Sequence, residues 1–151
     1  MLTFREADMQ DCEQVLAWRN DPMTRFYSLN PKEIAEAEHL VWYQNSLAIP
    51  ERKMLIILDG CMAIGVLRLD LRDADRLEVS INLAPEARNR GYGTSALQEI
   101  CQPVKKWFPR ARLVEARIKS NNAASIRVFA KAGFQFQKRE GDVILMTLSC
   151  D

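Results

Sequence analysis

The sequence predicts a mixed α/β fold, and three observations carry that reading. Segments with an apolar residue at every second position alternate with segments whose apolar residues recur every three to four. An Asp59-Gly60 pair joins two strongly apolar runs, as in a tight hairpin. The composition, 48% apolar and 27% charged in 151 residues, is that of a globular chain able to bury about two thirds of its unfolded surface. With no Ser- or Gly-rich linker and no internal repeat, one domain over residues 1–151 is expected.

Each element has a local cause. Leu2 to Arg5 reads as a first strand, and Asp8 as the N-cap of a helix with Met9, Cys12, Val15 and Leu16 on one face, ending before Pro22. Asn30-Pro31-Lys32-Glu33 has the marks of a helix start, with Asn as cap and Pro where its missing N–H costs nothing. Ile34, Ala37 and Val41 would then face inward, with His39 and Trp42 on a neighbouring stripe. Met54 to Leu58 and Cys61 to Leu67 flank the Asp59-Gly60 turn as strands. Leu77, Val79, Ile81 and Leu83 alternate with Glu78, Ser80 and Asn82 in a further strand. Leu97, Ile100, Cys101, Val104 and Phe108 mark a long helix that Pro103 should kink or break, because it removes the bond to the Glu99 carbonyl. Leu113 to Ile118 is a strand, Asn122 to Ala132 a helix stopped by Gly133, and Phe134 to Gln137 and Val143 to Leu148 are closing strands around Gly141-Asp142.

Charge and cysteines narrow the function. Lys plus Arg number 21 against 20 Asp plus Glu, a formal charge of +1, so no global field draws in nucleic acid or an anionic membrane, and any anionic ligand needs a local site. Cys12, Cys61, Cys101 and Cys150 lack the spacing of a zinc or redox pair and read as small buried hydrophobes, and no metal site is expected. Neither a signal peptide nor a spanning helix is read in the chain, so a reducing cytoplasm is the expected setting.

The most informative segment is Arg88-Asn89-Arg90-Gly91-Tyr92-Gly93-Thr94, between a strand and a helix. Two glycines let a backbone approach a ligand, and helix N-terminal amides make an anion site suited to phosphate. Arg88 and Arg90 add charge, although loop arginines are also ordinary solvated residues. The run matches the G-x-G-x-x-A of dinucleotide binders, but the context fails: Pro85, Glu86 and two arginines separate it from the strand, and Glu115, the acid some way on, falls within a strand.

Ile81 to Gly93 resembles the strand-plus-loop motif of the GCN5-related N-acetyltransferases, with its Gln/Arg-x-x-Gly-x-Gly/Ala core. Asn122 to Phe134 resembles that family's later helix and its Gly-Phe ending, in the right order and at the right distance. The resemblance implies a central, mostly antiparallel sheet of six to seven strands with a splayed parallel pair and flanking helices. It implies acetyl-CoA as cosubstrate, its pyrophosphate on the amides of Arg88, Asn89, Arg90, Gly91, Tyr92, Gly93 and Thr94 and its pantetheine beside Ile81 and Leu83. A bulge within Leu77 to Leu83 would open the sheet, the N–H near Ile81 would polarise the thioester carbonyl, and Asn122, Ser125 and Phe129 would meet the cosubstrate.

The implied reaction is direct acetyl transfer to a primary amine of a small molecule, which needs a base to take the ammonium proton. Glu78 is the candidate base, with an exposed strand residue facing a basic partner as the equal alternative. His39, the only histidine, is a second catalytic candidate, although an acceptor-binding role beside Trp42 suits it better than catalysis. Many members of the family carry a tyrosine acid where Phe129 stands, which leaves Tyr92, water or unassisted thiolate departure. Trp18-Arg19-Asn20-Asp21-Pro22 and the segment 34–42 resemble the subgroup with nucleotide-linked amino-sugar N-acetyltransferases. In that reading Arg19 or Arg25 meets a diphosphate, and Trp42 covers a sugar or base. A ribosomal-protein-type Nα-acetyltransferase and a non-catalytic CoA-binding module are the other two readings. Val143 to Leu148 serves a homodimer as readily as the sheet.

Overall fold

A computed structural model describes residues 2–151. Seven strands form one sheet in the order β1-β2-β3-β4-β5-β7-β6. They are β1 (Leu2–Glu6), β2 (Arg52–Asp59), β3 (Met62–Asp73), β4 (Arg76–Leu83), β5 (Leu113–Lys119), β6 (Gln135–Glu140) and β7 (Val143–Ser149). The helices are α1 (Cys12–Asn20), α2 (Pro22–Tyr27), α3 (Glu36–Ala48), α4 (Tyr92–Gln98), α5 (Cys101–Trp107) and α6 (Ala123–Lys131). All neighbouring strands are antiparallel except β4 and β5, which pair in parallel. This is the mixed sheet with one parallel pair that the resemblance implies.

Local chemistry sets the boundaries. The Asp8 carboxylate accepts from the Gln10 amide at 2.9 Å, and Asp11 answers by accepting from the Asp8 amide, a reciprocal cap that starts the first helical segment. Pro103 acts as expected: α4 stops at Gln98, α5 begins at Cys101, and the Glu99 carbonyl accepts instead from Gln102 at 3.0 Å. Gly133, at φ +102°, ends the segment after α6. The tight turn between β2 and β3 lies one residue later than the expected Asp59-Gly60, on Gly60, at φ +62°, and Cys61, since Asp59 stays in β2 and pairs with Met62.

Four further expectations are corrected. The segment 30–35 is not helical, because the Asn20 side chain donates to the Ile34 carbonyl at 2.8 Å and accepts from its amide at 2.9 Å, holding it extended until α3 starts at Glu36. The buried face of α3 is His39, Tyr43 and Ser46, with Ala37 and Val41 outside. Polar residues occupy that face because each finds a partner: the Tyr43 hydroxyl donates to the Asp8 carbonyl at 2.8 Å, and His39 Nε2 lies 3.2 Å from the Cys12 carbonyl. Cys101 and Cys150 are bonded to each other, with Cα atoms 5.3 Å apart across 49 residues of sequence. Cys61 is exposed and Cys12 half-buried. Cys150, just past β7, is held beside the start of β5, its amide donating to the Arg112 carbonyl at 2.8 Å, and there it meets Cys101, the first residue of α5.

The fourth correction concerns the opening of the sheet. Between Leu77 and Leu83 the β3–β4 register is unbroken, and the nearest irregularity falls at Leu71/Asp73. No bulge is needed to make the gap. β5 pairs with β4 only over Leu113–Glu115, opposite Arg76–Glu78, yet follows β7 for its whole length. Beyond Glu78 the two strands therefore part.

Candidate active site

The gap between β4 and β5 has a defined chemistry. The Ala84 amide donates to the Ile64 carbonyl at 2.8 Å, and along a regular antiparallel pair the bonded residues alternate. Asn82, Ser80 and Glu78 therefore bond to β3, and since the parallel pairing at Glu78 and Glu115 uses the Val79 amide, the groups turned toward the gap where β5 no longer meets them are the Val79 carbonyl and the main-chain groups of Ile81 and Leu83. Ala116 and Ile118 line the opposite wall. The result is a slot with apolar sides and free backbone polar groups along one edge.

At the mouth of the slot the chain from Arg88 to Gly91 turns through two left-handed residues, Asn89 at φ +60° and Gly91 at φ +80°. The amides of Asn89 to Thr94 have no acceptor among the described residues, and the first return bond is Ser95 to the Gly91 carbonyl at 3.1 Å. Such a concave run of N–H groups suits an anion. The two glycines have different duties. A Cβ on Gly91 would meet nothing within 4 Å, whereas one on Gly93 would sit 3.3 Å from Val128 Cγ1 and 3.6 Å from Leu83 Cδ1. Gly91 serves the turn and leaves ligand space open; Gly93 lets α4 pack against α6 and β4.

Slot and mouth open into one cavity of about 790 Å³. Of the residues expected at the site, it brings together Glu78, Ile81, Leu83, Arg88, Asn89, Gly91, Tyr92, Gly93, Thr94, Asn122, Ser125 and Phe129 with Arg19, His39 and Trp42. Arg90 and Arg25 lie outside its lining: Arg90 stacks on Tyr92 at 5.4 Å, and Arg25 donates to the Pro31 carbonyl and faces Glu33 at 3.7 Å.

Several side chains are already engaged. Arg88 donates to Asp21 Oδ2 at 2.6 Å and Thr24 Oγ1 at 2.7 Å, tying α2 to the mouth, and its guanidinium holds the Asp21 carboxyl below the usual range. Asn122 caps α6 by accepting from the Ser125 amide at 3.1 Å. Phe129 is buried and meets the Phe134 ring edge-on at 5.0 Å. Tyr92 donates its hydroxyl to Asp59 Oδ2 at 2.5 Å, a bond that raises its pKa and occupies its proton. Glu78 faces Arg72 at 3.3 Å and Arg117 at 3.7 Å. His39 is only 2% exposed, and burial lowers its pKa. Its Nε2 faces a carbonyl, so that nitrogen carries the proton. The Trp42 ring has the guanidiniums of Arg52 and Arg68 over it at 5.5 and 5.6 Å.

Arg68 and Tyr27, like the Arg72 and Arg117 that face Glu78, were not read from the sequence. Arg68 sits between fully buried Leu67 and Leu69 on β3 and points to the opposite, cavity face, while Tyr27 reaches the cavity from α2. A charged residue inside an apolar strand run was the available signal for Arg68. Among the described residues, no group of three or more His, Cys, Asp or Glu is placed to hold a metal, and no helix is long and apolar enough to cross a membrane.

Residues 1–135 match the model of the acetyltransferase (GNAT) domain family. The chain belongs to that family. Solved structures share its architecture. The spermidine N-acetyltransferase of Vibrio cholerae, bound to CoA and spermine, aligns over 98% of this chain and 95% of its own at 16% identity and TM-score 0.86. The aminoglycoside acetyltransferase AAC(6')-Ib, with paromomycin and acetyl-CoA, aligns over 98% and 93% at 17% identity and TM-score 0.84. A domain from Methanocaldococcus jannaschii aligns over 99% and 98% at 19% identity and TM-score 0.83. No curated protein sequence matches the chain. The GNAT domain is an N-acetyltransferase with acetyl-CoA as cosubstrate, and the free amides of 89–94 and the slot beside Ile81 fit that molecule's anionic linker and extended arm.

Proposed function

We propose that this acetyltransferase acetylates the primary amine of a small molecule held in the cavity between α1, α3 and the splayed strands, with a nucleotide-linked amino sugar as the acceptor. The observation that carries the reading is the row of unpaired main-chain groups from the Val79 carbonyl through Ile81 to Leu83, continuous with the free amides of 89–94 and beside the Glu78 carboxylate. Acetyl-CoA supplies the activated thioester. The amides of Asn89 to Thr94 hold its diphosphate, and the edge of β4 holds its arm as an added strand would be held. The Ile81 N–H donates to the carbonyl oxygen on which negative charge develops. Glu78 takes the ammonium proton, directly or through a water, while Arg72 and Arg117 hold its carboxylate in place. His39 acts as a packed wall of the acceptor space, because its Nε2 proton is committed to Cys12. No tyrosine acid is needed at 129, since a thiol of pKa about 8.5 is a fair leaving group near neutrality.

Thiol release with purified protein, acetyl-CoA and a panel of amines tests the reading. Tight acetyl-CoA binding by calorimetry together with acceptor-dependent thiol release supports it. Binding with no transfer to any amine replaces it with the CoA-binding module. Transfer confined to peptide N-termini replaces the small amine with a protein substrate.

A further inference from the structure

The acceptor end of the cavity holds an imbalance of charge that the acetyl-transfer reading does not use. Arg19 donates through Nη2 to the Asn30 carbonyl at 2.5 Å. Its Nη1 is the one buried side-chain nitrogen or oxygen among the described residues that lacks a partner. Arg68 donates through Nε to Asp70 at 3.0 Å, and its two terminal nitrogens have no acceptor. Asp70 is also paired with Arg52 at 2.5 Å and approached by Arg72 at 3.9 Å, so one carboxylate is shared among three guanidiniums. Glu78 is likewise held by Arg72 and Arg117. Burial lowers the pKa of both Arg19 and Arg68, and the charge of Arg68 lowers that of Arg19 further. Two guanidiniums line one cavity with open donors: Arg19 has no carboxylate partner, and Arg68 has Asp70 on its Nε alone.

A charged donor removed from water and left unpaired, as Arg19 Nη1 is, is costly unless a ligand completes the set, and the half-buried Arg68 adds open donors on the same cavity. A guanidinium fork fits a carboxylate or phosphate, and two such forks repel a cation. We propose that Arg19 and Arg68 seat an acidic group, carboxylate or phosphate, carried by the acceptor amine, so that this enzyme selects acid-bearing amines and rejects polycations. The proposal rests on the acetyl-transfer reading and deepens it. It separates this chain from the fold relatives whose structures hold spermine and paromomycin, both polycationic amines.

The test uses the full chain, saturating acetyl-CoA and matched acceptor pairs: glucosamine against glucosamine 6-phosphate and UDP-glucosamine, an amino acid against its amide, and spermidine and kanamycin as polycations. The acid-bearing member of at least one pair is expected to have kcat/KM roughly 10- to 100-fold above its uncharged partner, the range of a hydrogen bond to a charged group. The pair that responds tells phosphate from carboxylate. Arg19→Gln and Arg68→Gln should each erase most of that preference through KM, with acetyl-CoA affinity by calorimetry unchanged and partial rescue by Arg19→Lys or Arg68→Lys. Thermal melting confirms that each variant is folded, and if the Gln forms do not fold, the Lys forms and the wild-type preference decide. Acetylation of spermidine or kanamycin at least as efficient as of the acidic amines, or preference unchanged in the folded variants, overturns the seat alone. A wild-type chain that binds no acetyl-CoA overturns the acetyl-transfer reading and the seat with it.

Discussion

The two ends of the cavity grip in different ways. The end proposed for the cosubstrate, from Val79 to Leu83 and from Asn89 to Thr94, presents main-chain groups, and its side chains are turned to other tasks: Arg88 holds α2, Asn122 caps α6, and Gly93 packs against Val128. The end proposed for the acceptor presents side chains from three separate elements, Arg19 of α1, Arg68 of β3 and Glu78 of β4. A main-chain site depends on backbone conformation and tolerates most side chains. A side-chain site changes with one substitution. One scaffold can therefore keep the same cosubstrate while its acceptor changes.

The largest effect expected is at Glu78. Glu78→Gln should cut kcat by roughly 10²- to 10⁴-fold, the usual contribution of a general base, with acetyl-CoA affinity intact. A variant that retains most of its kcat in stopped-flow or steady-state assays would make Glu78 a partner of Arg72 and Arg117 only. Next comes Gly91, where φ is +80°. Gly91→Val should weaken acetyl-CoA by roughly tenfold, since a left-handed residue costs about 1–2 kcal/mol with a Cβ and more with branching. Gly91→Asn, which adopts that conformation readily, should bind far better than Val; equal loss in both would show that a bare Cα is needed there, contrary to a purely conformational role.

Gly93→Val should behave in the opposite manner, lowering stability by about 1–3 kcal/mol through overpacking against Val128 and Leu83, with binding of acetyl-CoA by the folded fraction little changed. Denaturant melts beside calorimetry separate the two glycines. Smaller again is the Arg88–Asp21 tie. Asp21→Asn should cost about 1 kcal/mol at pH 7. The folded pKa of Asp21 is depressed, so the contribution is complete above the unfolded value of about 3.9 and is lost as pH falls through the lower folded value. Wild type and variant should thus differ equally at pH 5 and pH 8 and converge only in stronger acid. The smallest effect on the chemistry is at His39: its lowered pKa keeps it neutral at pH 7, so the rate profile should show no His39 inflection, and His39→Gln should lower the melting temperature more than kcat.

The contrast between the two ends also governs what could be read in advance. Strands with period-two patterns, the turn at Gly60, the break at Pro103 and the loop 88–94 announce themselves, because each is decided within a few residues by local sterics and hydrogen bonding. The inward face of α3 misled, because Val41 is apolar but His39 and Tyr43 find carbonyl partners on the segment 8–12. The Cys101–Cys150 pair and the place of Arg68 depend on strand order and register, which composition does not encode.

The sequence by itself determined that the chain is a mixed α/β domain with a glycine-bearing loop at Arg88 to Thr94, since those features follow from short-range periodicity and from glycine's freedom at positive φ. Only the tertiary structure decided that β4 and β5 part after Glu78 without a bulge, and that Arg19 and Arg68 share one cavity. Both follow from long-range pairing: β5 stays with β7 along its full length, and α1 packs on β3 and β4, bringing together residues 49 positions apart in the chain.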